Sequence, residues 1–413
     1  MEVKPTIETF ARIKVLGIGG SGTNTVNRMT ELGIKGVELI SINTDSQALH
    51  NNSADRKVHI GKGVTKGLGS GMNPELGRQA AEETVEELED VISNADMIFI
   101  TCGLGGGTGS GASPVVAEIA KNKGILTVAV VTKPFTFEGS KRKEVAETAY
   151  ENLKDKVDAI ISIHNDRILQ IIDKKTSLIE AFKTVDEVLR QGISGISDLI
   201  TTHGIVNADF ADVRSIMQDA GTALMGIGTA VGDNRAQEAA KMAISSPLLE
   251  LAIDGAKGVL FNITGGSSLG MFEIDEAAKV ITKSIDTDAK VKFGAVIDES
   301  LGDSVRITVI ATGFEEGNKR PGASMLDVEP RRTNMPEPKI FQPQQPPMEV
   351  RKPLFNPAPA QPRPFANDAA QPIQPAQQPA VQPMPKQQPQ QMQPESSEDD
   401  ELDIPAFIRK KMK

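Results

Sequence analysis

Short apolar runs alternate with amphipathic stretches through the first 170 residues. Residues 13–16, 37–42, 97–101, 126–131 and 159–163 are short, mostly apolar runs of strand length, which predicts strands. Between them, apolar positions stepping by three and four predict helices over 74–92, 114–123 and 141–153. Strands alternating with helices imply a parallel, doubly wound sheet covered on both faces, with ligands bound where the βα loops converge at the strand carboxyl ends. A longer helical pattern follows over 177–202, with Ile179, Phe182, Val185, Val188, Leu189, Ile193, Ile196, Leu199 and Ile200 on its apolar stripe. Such a helix measures about 39 Å, enough to cross a domain. Gly192 and Gly195 weaken its intrinsic propensity, so packing must hold it.

Strand-like runs then recur at 224–231, 259–263, 291–297 and 305–311, with helical runs at 234–245 and 272–285. The pattern therefore predicts an α/β protein. A doubly wound parallel-sheet domain (1–176) leads through a central spine helix (177–203) to a second α/β domain (204–314). Beyond 314 the periodicity stops. Glutamine and proline dominate 315–397, a composition that cannot bury enough apolar surface to offset ordering entropy, so a disordered linker is expected. As a flexible coil of ~84 residues it would span about 50 Å.

Composition sharpens that boundary. Of 37 Gly, 35 lie in residues 1–314, whereas 20 of the 25 Pro lie beyond, so turns belong to the body and extension to the tail. The tail carries 13 basic and 13 acidic residues, so the formal charge of −10 sits entirely on the body. An acidic body argues against direct contact with nucleic acid or an anionic membrane, both of which need clustered cations. The single Cys, Cys102, excludes an internal disulfide and reads as core. The opening MEVKPTIETFARIK has no signal-like apolar region and no run approaches the ~20 residues of a membrane span, which makes a cytoplasmic protein the expectation. No cluster of His and Cys suggests a protein-held metal.

Two loops carry the chemistry. Gly17-Ile18-Gly19-Gly20-Ser21-Gly22-Thr23-Asn24 follows the first strand and precedes a helical run from Thr25. It fits the dinucleotide fingerprint, in which bare amides approach a phosphate at a helix N-terminus. Taken alone, this loop points first to a nicotinamide-dependent oxidoreductase, with a tight turn that binds no ligand as the lesser alternative. The second loop follows the run ending at Thr101 and reads Gly103-Leu104-Gly105-Gly106-Gly107-Thr108-Gly109-Ser110-Gly111 before a helix opening at Pro114. So much glycine is costly for turning alone and makes sense as amides wrapped around an anion. No Gly-Lys-Ser/Thr follows, so it is not a Walker A loop. Two such loops on neighbouring strands suggest a triphosphate.

The run Gly105 to Gly111, GGGTGSG, resembles the signature loop of the tubulin/FtsZ GTPase family. The resemblance extends to Asn43-Thr44-Asp45, KPFTFEG from Lys133, NDRI from Asn165, NADFADV from Asn207 and SSPLL from Ser245, covering about residues 10–314 and the last fifteen. It implies binding of GTP and GDP with Mg²⁺ held largely by phosphates and water. Gly19, Gly20, Ser21, Gly22, Thr23, Asn24 and Asn43 would line the nucleotide together with Gly105, Gly106, Gly107, Thr108 and Gly109. Glu138 and Arg142 would lie near ribose and phosphates, Asn165 and Asp186 would read guanine, and Phe182 would stack on the base. The residue chemistry agrees: a carboxylate accepts both N1–H and the 2-amino group of guanine, and adenine offers no such pair. Phe182 fits the apolar stripe of its helix equally well.

Asn207, Asp209 and Asp212 are the catalytic candidates. From the residues alone, Asp209 reads as a helix N-cap with Asp212 in the first turn. The resemblance instead implies that this loop reaches the GTP of the next subunit and orients the attacking water. Hydrolysis would then be completed at a head-to-tail contact of a filament, whose heterologous geometry leaves it open-ended. The family also implies a cytokinetic ring at midcell, on the inner face of the plasma membrane. A related filament that segregates plasmid or phage DNA is the alternative.

The terminal segment 398–413 reads EDDELDIPAFIRKKMK. Its acid-to-base order suits a helix dipole, and Leu402, Ile404, Phe407 and Ile408 could anchor in a groove. Leu402, Asp403, Ile404, Pro405, Phe407 and Ile408 resemble the family's tail peptide. This implies partner docking to a membrane tether and division regulators (FtsA-, ZipA- or SepF-like), and so only indirect membrane contact.

Overall fold

A computed structural model describes residues 11–202, 204–249 and 253–314. The linker at 315–397 and the terminal peptide with Leu402, Asp403, Ile404, Pro405, Phe407 and Ile408 lie outside the described residues.

The chain opens with β1 (Ile13–Ile18), α1 (Gly19–Glu31), β2 (Val37–Asn43), α2 (Ser46–His50), β3 (Arg56–His59) and α3 (Lys62–Thr65). Next come α4 (Pro74–Glu83), α5 (Val85–Ile92), β4 (Met97–Gly103), α6 (Gly107–Asn122), β5 (Leu126–Lys133), α7 (Ser140–Lys154), β6 (Ala159–His164) and α8 (Asn165–Ile168). The spine is α9 (Leu178–Thr201), followed by α10 (Phe210–Met217), β7 (Gly221–Val231) and α11 (Arg235–Ile244). The last elements are β8 (Gly258–Gly265), α12 (Met271–Thr282), β9 (Lys290–Ile297) and β10 (Ser304–Thr312).

All ten strands join one sheet in the order β3-β2-β1-β4-β5-β6-β7-β10-β8-β9. From β3 to β7 every pairing is parallel. β10 is antiparallel to both β7 and β8, and β9 is parallel to β8. β7 is the seam: its first residues pair with β6 and the rest with β10. The parallel half has the continuous apolar strands that a sheet covered on both faces requires. Val15, Phe99, Val128 and Ile161 feed one core, while Leu16, Ile18, Ile100 and Val131 feed the other. The spine stripe, from Val185 to Leu199, packs in the first of these together with Met225 and Ile310 of the second domain. A third core under α11 and α12 belongs to the second domain alone.

The spine is bounded by its own chemistry. Ser177 and Glu180 form a reciprocal capping box at its start. Its two glycines are explained by proximity: side chains there would press on Met225 at Gly192 and on Thr308 at Gly195, both on the second-domain sheet.

Three expected boundaries move. The run 74–92 is two helices, α4 and α5, meeting at Thr84, whose hydroxyl accepts from Gly61 N and donates to Ala80 O. α1 starts at Gly19 rather than Thr25, and α6 starts at Gly107 rather than Pro114. Both glycine loops are therefore largely first helical turns. Helix propensity disfavours glycine there, and close packing of neighbouring backbone overrides it. β3 has no counterpart in the expected strands, because four residues with an exposed start carry little apolar signal.

Candidate functional site

The strand order reverses between β1 and β4, the topological switch point where doubly wound sheets bind ligands. Both glycine loops leave the sheet there. Each opens a helix, whose start leaves first-turn amides for an anion, although Gly107 N is already taken by Gly71 O.

The glycines divide into two kinds. A side chain on Gly22 would run into the Thr101 carbonyl, and one on Gly111 into the Pro74 carbonyl. Gly107 is pressed against Gly71 O and Ser70. These seat α1 on β4 and α6 on α4. Gly20 and Gly106 have nothing within 4 Å of where a Cβ would stand, so the open ground lies between them. Gly19 and Gly105 take φ of 73° and 95°, which turns each chain into its helix. Ser110 Oγ accepts from Gly105 N at 2.9 Å and pins the second loop. The row of bare amides expected from the sequence is thus shorter than the glycine run; packing accounts for the rest.

The hydroxyls nearby are interlocked. Thr108 Oγ1 lies 2.7 Å from both Thr44 Oγ1 and Ser70 Oγ, all buried. Thr44 and Ser70 were not singled out from the sequence as site residues, although Thr44 sits in a quoted motif. Thr23 points into its own helix, donating to Gly19 O and Gly20 O, and is 1% exposed. Asn43 Oδ1 accepts from Thr44 N at 2.9 Å and shapes the turn after β2. Neither side chain lines the pocket.

The pocket runs from Ser21 and Asn24 past Gly103, Leu104, Thr132 and Pro134 to Glu138, Arg142, Asn165, Phe182, Val185 and Asp186. Five of these last six residues carry polar or aromatic chemistry, and they come from four separate segments brought together at the carboxyl ends of β5 and β6. Arg142 Nε stands 3.4 Å from Glu138 Oε2, too long for a good hydrogen bond, and both atoms are buried without one. Asn165 Oδ1 is likewise buried and unpartnered. Buried polar atoms are normally satisfied, so three orphans in one pocket mark it as built for a polar ligand. Phe182 meets Phe135 edge to face at 5.7 Å and keeps 40% of its surface exposed. Burial pushes the Asp186 carboxyl above the ordinary aspartate range, opposed by a hydrogen bond from Thr25 and the charge of Arg28. Burial also pushes the Cys102 thiol up to about 12, which leaves it an inert core residue.

Asn207, Asp209 and Asp212 lie elsewhere. Ile205 N donates to Ala295 O and Ala295 N to Val206 O, which ties their loop to β9. Asn207 Oδ1 accepts from Gly204 N at 2.7 Å. Asp209 is the N-cap of α10, accepting from Asp212 N at 2.7 Å, so the capping geometry read from the residues is present. Asp212 Oδ1 pairs with Lys292 Nζ at 2.8 Å. α10 sits near the amino ends of β5 and β6, where Arg214 and Gln218 line a shallow cleft with Leu126 and Asp158. From Asp186 to the end of α9 is about 22 Å along the helix, so loop and pocket occupy opposite ends of the spine. Among the described residues no group of three or more His, Cys, Asp or Glu side chains is placed to hold a metal, and no helix is long and apolar enough to cross a membrane.

Comparison with known proteins agrees with this architecture. A family model described as "Tubulin/FtsZ family, GTPase domain" matches residues 12–173, and "FtsZ family, C-terminal domain" matches 221–315. An FtsZ dimer from M. jannaschii superposes with a TM-score of 0.72 at 45% identity, over 74% of this chain and 89% of that one. Two Haloferax volcanii proteins share the fold at lower identity. The GDP-bound CetZ1 monomer gives a TM-score of 0.64 at 21%, covering 74% of this chain and 95% of its own. The CetZ2 protofilament bound to GTPγS gives 0.62 at 20%, covering 74% and 94%. The chain belongs to the tubulin/FtsZ family of GTPases, in its FtsZ branch, and hydrolyses GTP to GDP and phosphate.

Proposed function

We propose that copies of this GTPase stack head to tail, and that the 207–212 loop of one copy completes the nucleotide pocket of the next. The observation that carries the reading is the separation described above. A pocket with unpaired buried polar groups at one end of the spine and a carboxylate loop at the other cannot meet within one subunit. They meet when copies repeat along the spine axis, an open heterologous contact that builds a filament. The M. jannaschii dimer and the CetZ2 protofilament support self-assembly by kinship.

In this reading residues 1–176 bind nucleotide, 177–203 link, and 204–314 present the loop. The amides at Gly20 and Gly106 hold the phosphates, Glu138 and Arg142 meet ribose and phosphate, and Asn165 and Asp186 read guanine beside Phe182. Asp209 uses one carboxylate oxygen as a cap and keeps the other for the contact. Asp212 and Asp209 orient a water that attacks the γ-phosphorus; the bond to the β-phosphate oxygen breaks, releasing GDP and phosphate. The hydroxyls of Thr108, Thr44 and Ser70, together with phosphate oxygens and water, are the hard oxygen donors that suit Mg²⁺, which would supply charge neutralisation at the phosphates.

The filament forms the cytokinetic ring at midcell in the cytoplasm, tethered by the terminal peptide through a membrane partner. Sedimentation with GTP tests the core of this reading. Asp212→Ala is expected to bind GTP and pellet like wild type while hydrolysis falls at least ~100-fold. Normal turnover in that variant would sink the assignment. Fluorescent fusions that track plasmid or phage DNA instead of midcell would replace the ring by a DNA-segregating filament.

A further inference from the structure

The carboxylate proposed to read guanine has a partner on a different helix. Thr25 Oγ1 donates to Asp186 Oδ1 at 2.8 Å, joining α1 to α9 across 161 residues of chain. Thr25 is fully buried, and it directly follows the first glycine loop. Its hydroxyl also has the ordinary option of a helical threonine, the carbonyl four residues back, here Ser21 O at 3.1 Å. A single O–H serves one acceptor well. The shorter bond goes to the carboxylate, where the acceptor's charge makes it the stronger of the two.

We propose that Thr25 is a specificity-positioning residue for the base: its hydroxyl fixes the plane of the Asp186 carboxylate so that the remaining lone pairs face the pocket. This rests on the reading of Asp186 as the guanine-recognising group. A carboxylate offers about four lone-pair sites. Thr25 takes one on Oδ1, leaving the second site of Oδ1 and both of Oδ2 for guanine N1–H and the 2-amino group. Without that bond the carboxylate turns about its broad terminal torsion, and a bidentate match to two parallel donors has to be ordered on binding. The bond also opposes the burial that favours protonation of Asp186, and a protonated carboxyl would set its own O–H against guanine N1–H. Thr25 makes no contact with substrate in this scheme; it acts through Asp186. Nothing in the residue pattern marks it, because a Thr inside a helix has an adequate local partner already.

The test uses the full chain stripped of nucleotide and titrated calorimetrically with GDP and with inosine diphosphate, which keeps N1–H and lacks the 2-amino group. Wild type is expected to bind GDP about tenfold or more tightly than inosine diphosphate. Thr25→Val, close to isosteric, should weaken GDP about tenfold and bring the two affinities to within about threefold of each other. Thr25→Ser, which restores the hydroxyl, should return the wild-type ratio. If Val disturbs packing, the pair Thr25→Ser and Thr25→Ala makes the same comparison through one oxygen atom. A wild-type affinity ratio in both Val and Ala variants overturns the proposal and leaves Thr25 a packing residue. Asp186→Asn separates the two levels. If it abolishes the ratio while Thr25→Val does not, only the role of Thr25 fails; if it leaves the ratio intact, the reading of Asp186 fails with it.

Discussion

The two ends of the pocket are made of different material. The end proposed for phosphate is main chain: Gly20 and Gly106 leave it open, and its neighbours Gly22, Gly107 and Gly111 are in backbone contact with β4, α4 and the loop between α3 and α4. The end proposed for the base is side chains: Asn165, Phe182 and Asp186 come from α8 and α9. Anion binding by amides asks only for a helix start and close approach. Base selection asks for particular donors and acceptors in register. One end is thus inseparable from the closure of the fold, whereas the other is laid on top of it. Substitutions at the packed glycines of the first should damage stability and binding together, and substitutions at the second should damage binding alone.

The largest effect is expected at Gly111. Any side chain there drives into the Pro74 carbonyl and the Arg78 amide of α4, backbone that cannot step aside. Gly111→Val should cost more than about 3 kcal/mol, through overpacking and loss of the α4–α6 seat. Urea denaturation should register this before any nucleotide is added. Gly106→Ala is the counterpart in the same loop. Its backbone, at φ −88° and ψ 175°, accepts any residue, and the new methyl meets nothing. Stability should stay within about 0.5 kcal/mol of wild type, while GTP affinity falls because the methyl occupies ground proposed for phosphate. Equal destabilisation of the two variants would erase the distinction between packed and open glycines.

That distinction also marks where the sequence stopped being legible. The parallel sheet, the spine and the second set of strands followed from periodicity, because burial on two faces leaves a strong local trace. The glycine run was read as a single anion cradle. A glycine required by Pro74 and one required by a ligand look identical in sequence, since what separates them is a neighbour some 40 residues away. The reading of a base end rests on family resemblance, not on pattern: Phe182 sits on an apolar stripe and Asp186 four residues on, as in many solvated helices. Thr44, Ser70 and Thr25 escaped because hydroxyls bonded across the fold have no spacing rule.

A middling effect is expected from Phe182→Ala. The ring is 40% exposed and rests edge-on against Phe135, so truncation removes a stacking platform without opening a core cavity. Stacking on an aromatic face contributes about 1–3 kcal/mol per base and tolerates any base. The variant should therefore bind GDP and inosine diphosphate both about tenfold more weakly, with their ratio unchanged. A collapsed ratio would mean that Phe182 orients Asp186 instead of holding the base.

The subtlest effect separates selection from stability at one residue. Burial raises the Asp186 carboxyl above the ordinary aspartate value of 3.8 in the empty protein. Well below that value both folded and unfolded chains hold the proton, and the site costs nothing. As pH rises through the ordinary value and then through the raised one, the unfolded chain releases its proton first, so folded stability falls across that window and then levels. At neutral pH the empty protein therefore bears the cost of a desolvated charge. Asp186→Asn removes it and should raise the melting temperature of the nucleotide-free protein at neutral pH by a few degrees at most, with a difference that shrinks on acidification into the ordinary aspartate range. The same variant loses its preference for guanine, so stability and selectivity move in opposite directions at a single side chain. No phosphate-end substitution should do this, because its packed glycines lose stability when substituted and an open one such as Gly106 leaves stability unchanged. A variant that lost both together would place Asp186 with the packed glycines and end the division between the two ends.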